Sequence, residues 1–186
     1  ASDLKLVLDF VPNHLARAYY SDQKPVGVID FGQNDNKDIS FTPANNYYYL
    51  PGTQFMAPVG VNPPIPVTVP YIEIPAKVSG NNVFSAQPSI NDWFETVKLN
   101  YGVDIQHGNL THFDPIPDTW LKMTDVLIYW TKKGVDGFRC DMAEMIPVEF
   151  WAYAIPKVKA INPEAVFIAE IYNPAEYRNY IFTYLA

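Results

Sequence analysis

The eight residues Gly134-Val135-Asp136-Gly137-Phe138-Arg139-Cys140-Asp141 constrain the fold of this chain most. They read as a short buried strand. Side chains alternate along a strand, so Arg139 and Asp141 share one face while Phe138 and Cys140 share the other. The stretch ends on a carboxylate and runs on to Glu144 and to Pro147, a residue suited to opening a helix. A strand that ends in Asp and leads into a helix is where parallel α/β folds place their chemistry. Cys140 is the sole cysteine, which rules out an intrachain disulfide, and its strand position marks it as a small buried apolar residue rather than a nucleophile.

Two further stretches have the same form. Residues 4–9, Leu-Lys-Leu-Val-Leu-Asp, are an apolar β-compatible run ending in Asp9, as expected of a buried parallel strand. Pro12 stops it and leaves Asn13 and His14 just beyond. Residues 165–170, Ala-Val-Phe-Ile-Ala-Glu, form a third strand ending in Glu170. Between them the helical period appears twice. Asp118 is a plausible N-cap for a helix carrying Leu121, Leu127, Ile128 and Thr131, closed by Lys132, Lys133 and a glycine at 134. Pro147 to Ala160 carries Phe150, Trp151, Ala154, Ile155 and Val158, with Pro156 expected to bend it. A third helix is expected from Pro174 to Tyr184. The frame is three consecutive β/α units with right-handed crossovers.

Residues 15–117 have a different texture. Proline is dense from Pro58 to Pro75, and Pro63 to Pro70 excludes a helix. Val67-Thr68-Val69 and Tyr71-Ile72-Glu73-Ile74 read as short edge strands, while Asn45-Asn46, Asn81-Asn82 and Gly32 to Asp35 mark turns. A bare connection of this length is implausible, and the stretch is too rich in aromatic and β-branched residues for a disordered linker. It reads as an irregular β-containing subdomain inserted after the first strand. The expected domains are therefore 1–14 with 118–186, and 15–117. Asn109-Leu110-Thr111 matches a glycosylation sequon.

The net charge of -7 and the scattered basic residues argue against nucleic acid and anionic membranes as partners. No run is long and apolar enough to span a membrane. No signal peptide is visible, and the chain opens on a strand, as if it started within a domain. The compartment therefore stays open. Aromatic residues make up 15% of the chain, several in loop-like stretches such as Tyr47-Tyr48-Tyr49 and Trp93-Phe94, where flat faces are suited to stacking on sugars.

Adjacent parallel strands lie about 4.8 Å apart. If the three strands are neighbours, Asp9, Asp141 and Glu170 face one cavity at a spacing of roughly 5 Å, that of the carboxylate pair in a retaining glycoside hydrolase. Arg139 beside Asp141 favours the ionised form that suits a nucleophile. Glu170 follows four apolar residues with no cation next to it in sequence, so a drier carboxyl that keeps its proton is expected there, as suits an acid. Asp9 is placed to orient Arg139, and His14 to donate to a sugar hydroxyl. Taken singly, a strand-end Asp is usually a solvated or capping carboxylate, a loop His is usually structural, and Arg139–Asp141 reads equally well as a structural ion pair.

Asp9-Phe10-Val11-Pro12-Asn13-His14 resembles the first signature of the α-amylase family of glycoside hydrolases, Gly137-Phe138-Arg139-Cys140-Asp141 its second, and Phe167-Ile168-Ala169-Glu170 its third. The insertion also matches, since in that family a domain B interrupts the (β/α)8 barrel after strand 3. The resemblance implies a TIM-barrel fragment running from strand 3 through domain B to the helix after strand 5. It implies Asp141 as nucleophile, Glu170 as acid/base, Arg139 as the buried partner of Asp141, and His14 as a ligand of the sugar being cleaved. Asp9 and Asn13 become supports of the site. The family's third carboxylate has no counterpart in this chain. Asn13 matches a calcium ligand of some members, but Met145 stands where those enzymes often carry histidine, so no metal and no cofactor is expected.

The resemblance thus implies an enzyme acting on α-linked glucans or maltooligosaccharides by retaining double displacement. The fragment alone is expected to be inactive and prone to associate through open sheet edges. The alternatives are a transglycosylase of the same family (branching, sucrose- or trehalose-handling), a non-catalytic carbohydrate-binding relative, and an unrelated α/β domain.

Overall fold

A computed structural model describes residues 4–61 and 71–180. In chain order the strands are β1 (Val7–Phe10), β2 (His14–Ala16), β3 (Tyr49–Leu50), β4 (Ala76–Lys77), β5 (Thr96–Lys98), β6 (Val103–Asp104), β7 (Leu110–Thr111), β8 (Gly137–Cys140) and β9 (Val166–Ala169). The α-helices are α1 (Asp118–Lys132), α2 (Val148–Lys159) and α3 (Tyr177–Tyr180). The chain divides into two compact units, Ala1–Asn13 with Trp120–Ala186, and His14–Thr119.

The first unit is α/β. Its sheet has the order β1-β8-β9, all parallel. Leu8, Phe138 and Phe167 lie in one row across it, and Asp9, Arg139 and Ile168 in the next. Gly137 is needed where it stands, because a Cβ there would lie 2.5 Å from the Val166 carbonyl oxygen. One sheet face carries the core. Phe138 meets Phe10 edge-on, Phe10 meets Trp151, Trp151 meets Phe150 and Phe150 meets Trp120, so an aromatic chain ties β1 and β8 to α2 and α1. Phe150, Trp151, Ala154, Ile155 and Val158 are buried on α2, as their helical spacing predicts. The helix runs on through Pro156. After α1, Gly134 takes the left-handed conformation (φ +92°) that a C′ residue needs, and its N–H donates to the Thr131 carbonyl.

The strands are not buried on both sides. Leu4 and Leu6 precede β1 and are exposed, as are Val7, Val166 and Ile168. The expectation of fully buried strands is corrected on this point: burial needs a layer against each face, and the aromatic layer covers only the face of Phe10, Phe138 and Phe167. Among the described residues, β1 and β9 each pair with β8 alone. The third helix is also shorter than expected within those residues. It is a 3-10 turn, Pro174–Glu176, followed by the single-turn α3, and its expected end at Tyr184 lies outside them.

The second unit consists of three two-stranded antiparallel ribbons, β2–β5, β3–β4 and β6–β7. Buried amides replace much of the missing ladder. Asn100 Nδ2 donates to the Thr42 and Asn45 carbonyls. Asn46 Oδ1 accepts from Gly32 N, and its Nδ2 donates to Asp118 Oδ2. Arg17 donates to Glu73 Oε1, Ser79 Oγ and the carbonyls of Lys77 and Phe94. Two expectations are corrected here. Tyr71 to Ile74 is irregular rather than an edge strand, because its polar groups turn inward, with Tyr71 Oη donating to Glu73 Oε2. Tyr47, Tyr48 and Tyr49 are core residues, almost wholly buried, so they are not a surface stacking platform. The expected Val67-Thr68-Val69 strand and the Pro63–Pro70 run lie outside the described residues.

Ile146 is 1% exposed in the first unit. Ile146→Val is expected to lower the unfolding free energy by about 0.5–1.5 kcal/mol, read from urea denaturation of the chain.

Candidate functional site: a carboxylate triad on one guanidinium

The parallel ladder continues one step past the strand ends. Asp141 N donates to the Phe10 carbonyl and Glu170 N to the Cys140 carbonyl. By strand alternation this puts Asp141 and Glu170 on the face of Asp9 and Arg139, away from the aromatic core. Arg139 binds all three acids. Its Nη1 lies 2.8 Å from Asp9 Oδ1 and 2.8 Å from Asp141 Oδ1, and its Nη2 lies 2.7 Å from Glu170 Oε1. The planar guanidinium fork thus holds Asp141 and Glu170 on different nitrogens. The hydrogen bond that Arg139 donates to Asp9 is the foremost of the interactions that raise the Arg139 pKa further above its ordinary value. The Arg139 side chain is 34% exposed, which corrects the buried partner that the resemblance implies. The cause is the uncovered sheet face.

Glu170 is the larger correction. No cation neighbours it in sequence, but Arg139 reaches it across the sheet from β8. Met142 N donates to Glu170 Oε2 (3.0 Å) and Tyr172 Oη to Oε1 (3.1 Å). These donors, the Met142 N–H foremost, then Tyr172, the Arg139 charge and a hydrogen-bonding contact with Asp141, hold the Glu170 carboxyl below its ordinary pKa. The expected dry carboxyl that keeps its proton is therefore not what the environment favours. Surroundings alone do not divide acid from nucleophile here.

Three contributors escaped the reading of the sequence. Met142 adopts a left-handed conformation (φ 47°, ψ 43°), which aims its N–H at Glu170. Methionine gives no sequence signal for that geometry. Tyr172 stands two residues past Glu170, an alternation that was there to be used. Glu144 accepts from the backbone N–H groups of Tyr172 (3.2 Å) and Asn173 (3.0 Å), so it clamps the loop that follows Glu170. Tyr180 Oη in turn lies 3.1 Å from the Glu144 carbonyl and 2.7 Å from that of Ile146.

Asp9, Arg139, Asp141 and Glu170 are thus brought together. Asn13 is fully buried beyond the end of β1. His14 belongs to the second unit, where it opens β2, pairs with Lys98 and packs its ring 5.3 Å from that of Trp93. Lys98 is buried, and desolvation lowers its pKa to about 7. Among the described residues, no three His, Cys, Asp or Glu side chains are grouped to hold a metal ion.

Removing the phenol in Tyr172→Phe takes away a donor to ionised Glu170, so the Glu170 pKa is expected to rise; carboxyl-carbon NMR titration checks this. Because the folded pKa of Glu170 lies below its ordinary value, its contribution to stability is complete above the ordinary carboxylate range. It is lost as pH falls through the folded value. Urea midpoints taken from pH 6 down to pH 3 are expected to fall less steeply in Tyr172→Phe.

A scan against protein-family models finds no match. The alpha-1,4-glucan:maltose-1-phosphate maltosyltransferase of Burkholderia pseudomallei is 35% identical over 69 residues, 37% of this chain and 6% of that protein. The enzyme of the same name from Myxococcus xanthus is 28% identical over 90 residues, 44% of this chain and 14% of that protein. Neopullulanase 2 of Thermoactinomyces vulgaris is 34% identical over 59 residues, 32% of this chain and 10% of its own. The matches thus span only a small part of those relatives' length. Among solved structures, an α-amylase from Lactobacillus plantarum superposes with a TM-score of 0.37 at 28% identity, covering 53% of this chain and 19% of the other. Over the residues they cover, the sequence matches relate this chain to the α-amylase family of glycoside hydrolases.

Proposed function

We propose that this chain carries the nucleophile and the acid/base of an enzyme that cleaves α-glucosidic bonds in α-glucans or maltooligosaccharides with retention of configuration. The single observation that carries the reading is the Arg139 fork, with Asp141 and Glu170 on its two nitrogens. Two carboxyls that share one guanidinium suit the close-set pair of a double displacement, about 5–5.5 Å apart in such enzymes, whereas an inverting pair needs room for a water between them.

In the proposed cycle, Glu170 protonates the glycosidic oxygen while an Asp141 oxygen attacks the anomeric carbon, giving a glycosyl ester and a free leaving sugar. Glu170, now ionised, takes a proton from the acceptor, which attacks the same carbon and releases Asp141. The donors from Met142 and Tyr172 favour that ionised form. Arg139 positions Asp141, and Asp9 positions Arg139. His14 enters as a sugar-ring ligand, and Asn13 as a support, through the resemblance of their motif alone. The cycle needs no cofactor. Activity is assigned to a protein that carries the rest of the barrel, because the matched stretch is so small a part of its relatives.

A second reading is favoured by the names of the relatives. Several are maltosyltransferases, which pass the glycosyl unit to a sugar rather than to water. The same Asp141 ester serves both outcomes.

Product anomers from the full-length enzyme acting on a maltooligosaccharide are expected to keep the α configuration, and Asp141→Asn to lower kcat by at least about a thousandfold. A β product, or near-normal turnover in Asp141→Asn, would sink the assignment. The ratio of longer saccharides to free sugar distinguishes transfer from hydrolysis.

A further inference from the structure

A cavity of about 280 Å³ lies in the second unit, lined among others by Tyr19, Tyr47, Tyr49, Tyr71, Lys37 and Lys77. All its lining residues belong to that unit. We propose that this cavity is a saccharide-binding site that takes one neutral pyranose ring of an oligosaccharide. Only the choice of saccharide class leans on the function proposed above; the cavity and its chemistry stand apart from Asp141 and Glu170.

Size is the first argument. Pockets for drug-sized ligands run from about 300 to 1,000 Å³, so this one lies just under that range and suits a single ring. Its chemistry is the second. A sugar ring presents weakly apolar C–H faces and a rim of hydroxyls, and tyrosine offers both a flat ring and a phenol. Four tyrosines line the cavity: Tyr47 and Tyr49 are buried, while Tyr19 and Tyr71 are exposed. Burial above all keeps the phenols of Tyr47 and Tyr49 protonated well above their ordinary range, so both remain neutral hydrogen-bonding groups. Gln33 adds an amide to the lining.

Charge balance is the third argument, and it points to a neutral ligand. Lys77 Nζ lies 3.4 Å from Glu73 Oε2, and Arg17 Nη1 lies 2.6 Å from Glu73 Oε1. Asp35 Oδ2 accepts from Tyr49 Oη and from Tyr47 N. Asp30 acts electrostatically on Tyr47, and Lys37 on Lys77. Arg17 and Lys77 thus share Glu73, and Lys24 Nζ lies 3.7 Å from Asp30 Oδ2, so these cations already have carboxylate partners and an anion would gain little from them. Preorganisation is the fourth. Arg17 ties Glu73 to Ser79 and to the Lys77 carbonyl, and Tyr71 Oη reaches both Glu73 and the Arg17 carbonyl. Walls fixed in this way lose little entropy on binding.

The test is amide chemical-shift mapping of the chain titrated with maltotriose. Saturable shifts are expected at residues 19, 33, 37, 47 and 71. Tyr19→Ala is expected to weaken that binding at least about fivefold; should it fail to fold, Lys37→Ala, an exposed position, is expected to weaken it about twofold or more. Asp141→Asn is expected to leave the shifts at these positions unchanged. No shifts in the cavity, shifts only around Asp9, Asp141 and Glu170, or tighter binding of glucose 6-phosphate than of maltotriose would each overturn the proposal. The first two outcomes leave the retention experiment untouched, and an inverted product there leaves the cavity result standing.

Discussion

One guanidinium organises the ends of three strands. Arg139 lies in the middle strand of a parallel sheet, so its fork reaches Asp9 and Glu170 on either side as well as its own Asp141. That reach depends on the in-register pairing of β1, β8 and β9, and Gly137 lets β9 come close enough. A one-residue slip of either neighbour would turn its acid toward the aromatic face. Register, glycine and guanidinium are therefore one constraint.

The aromatic chain from Phe138 to Trp120 supplies the rigid backing for that constraint. Trp151 Nε1 also lies 3.3 Å from the Ala143 carbonyl, which ties the turn after Asp141 to α2. Glu144 then fixes the loop after Glu170. The two turns that carry the candidate acids are thus held by hydrogen bonds to each other and to a helix. The second unit solves the opposite problem: with little regular structure it places buried Asn46, Asn100 and Arg17 where ladder hydrogen bonds are missing. Its tyrosine-lined cavity follows from the same economy, since tyrosines that fill a small irregular core must still find partners for their phenols.

Much of the first unit was legible in the sequence. Asp118 to Gly134 announced α1 through its apolar period, terminal lysines and closing glycine, and the structure ends the helix at Lys132 with Gly134 left-handed. The strand faces followed from alternation, so Arg139 and Asp141 were expected together and stand together. What failed were inferences from sequence neighbours to spatial ones. Glu170 looked dry because residues 166–169 are apolar, yet Phe167 and Ala169 alternate onto the opposite face, Val166 and Ile168 share its face but stand exposed, and Arg139 arrives from β8. Tyr47 to Tyr49 looked like loop aromatics because their stretch lacks a period, yet they fill a core.

The sequence by itself determined the three parallel strands and the first two helices of the first unit, the face of each of those strands and the acid at its end, because backbone period and residue type are local properties. Only the tertiary structure decided which acids share a cation, which strand face stays uncovered and which tyrosines line a cavity. Those depend on register and on packing between residues as much as 161 positions apart, such as Asp9 and Glu170 around Arg139.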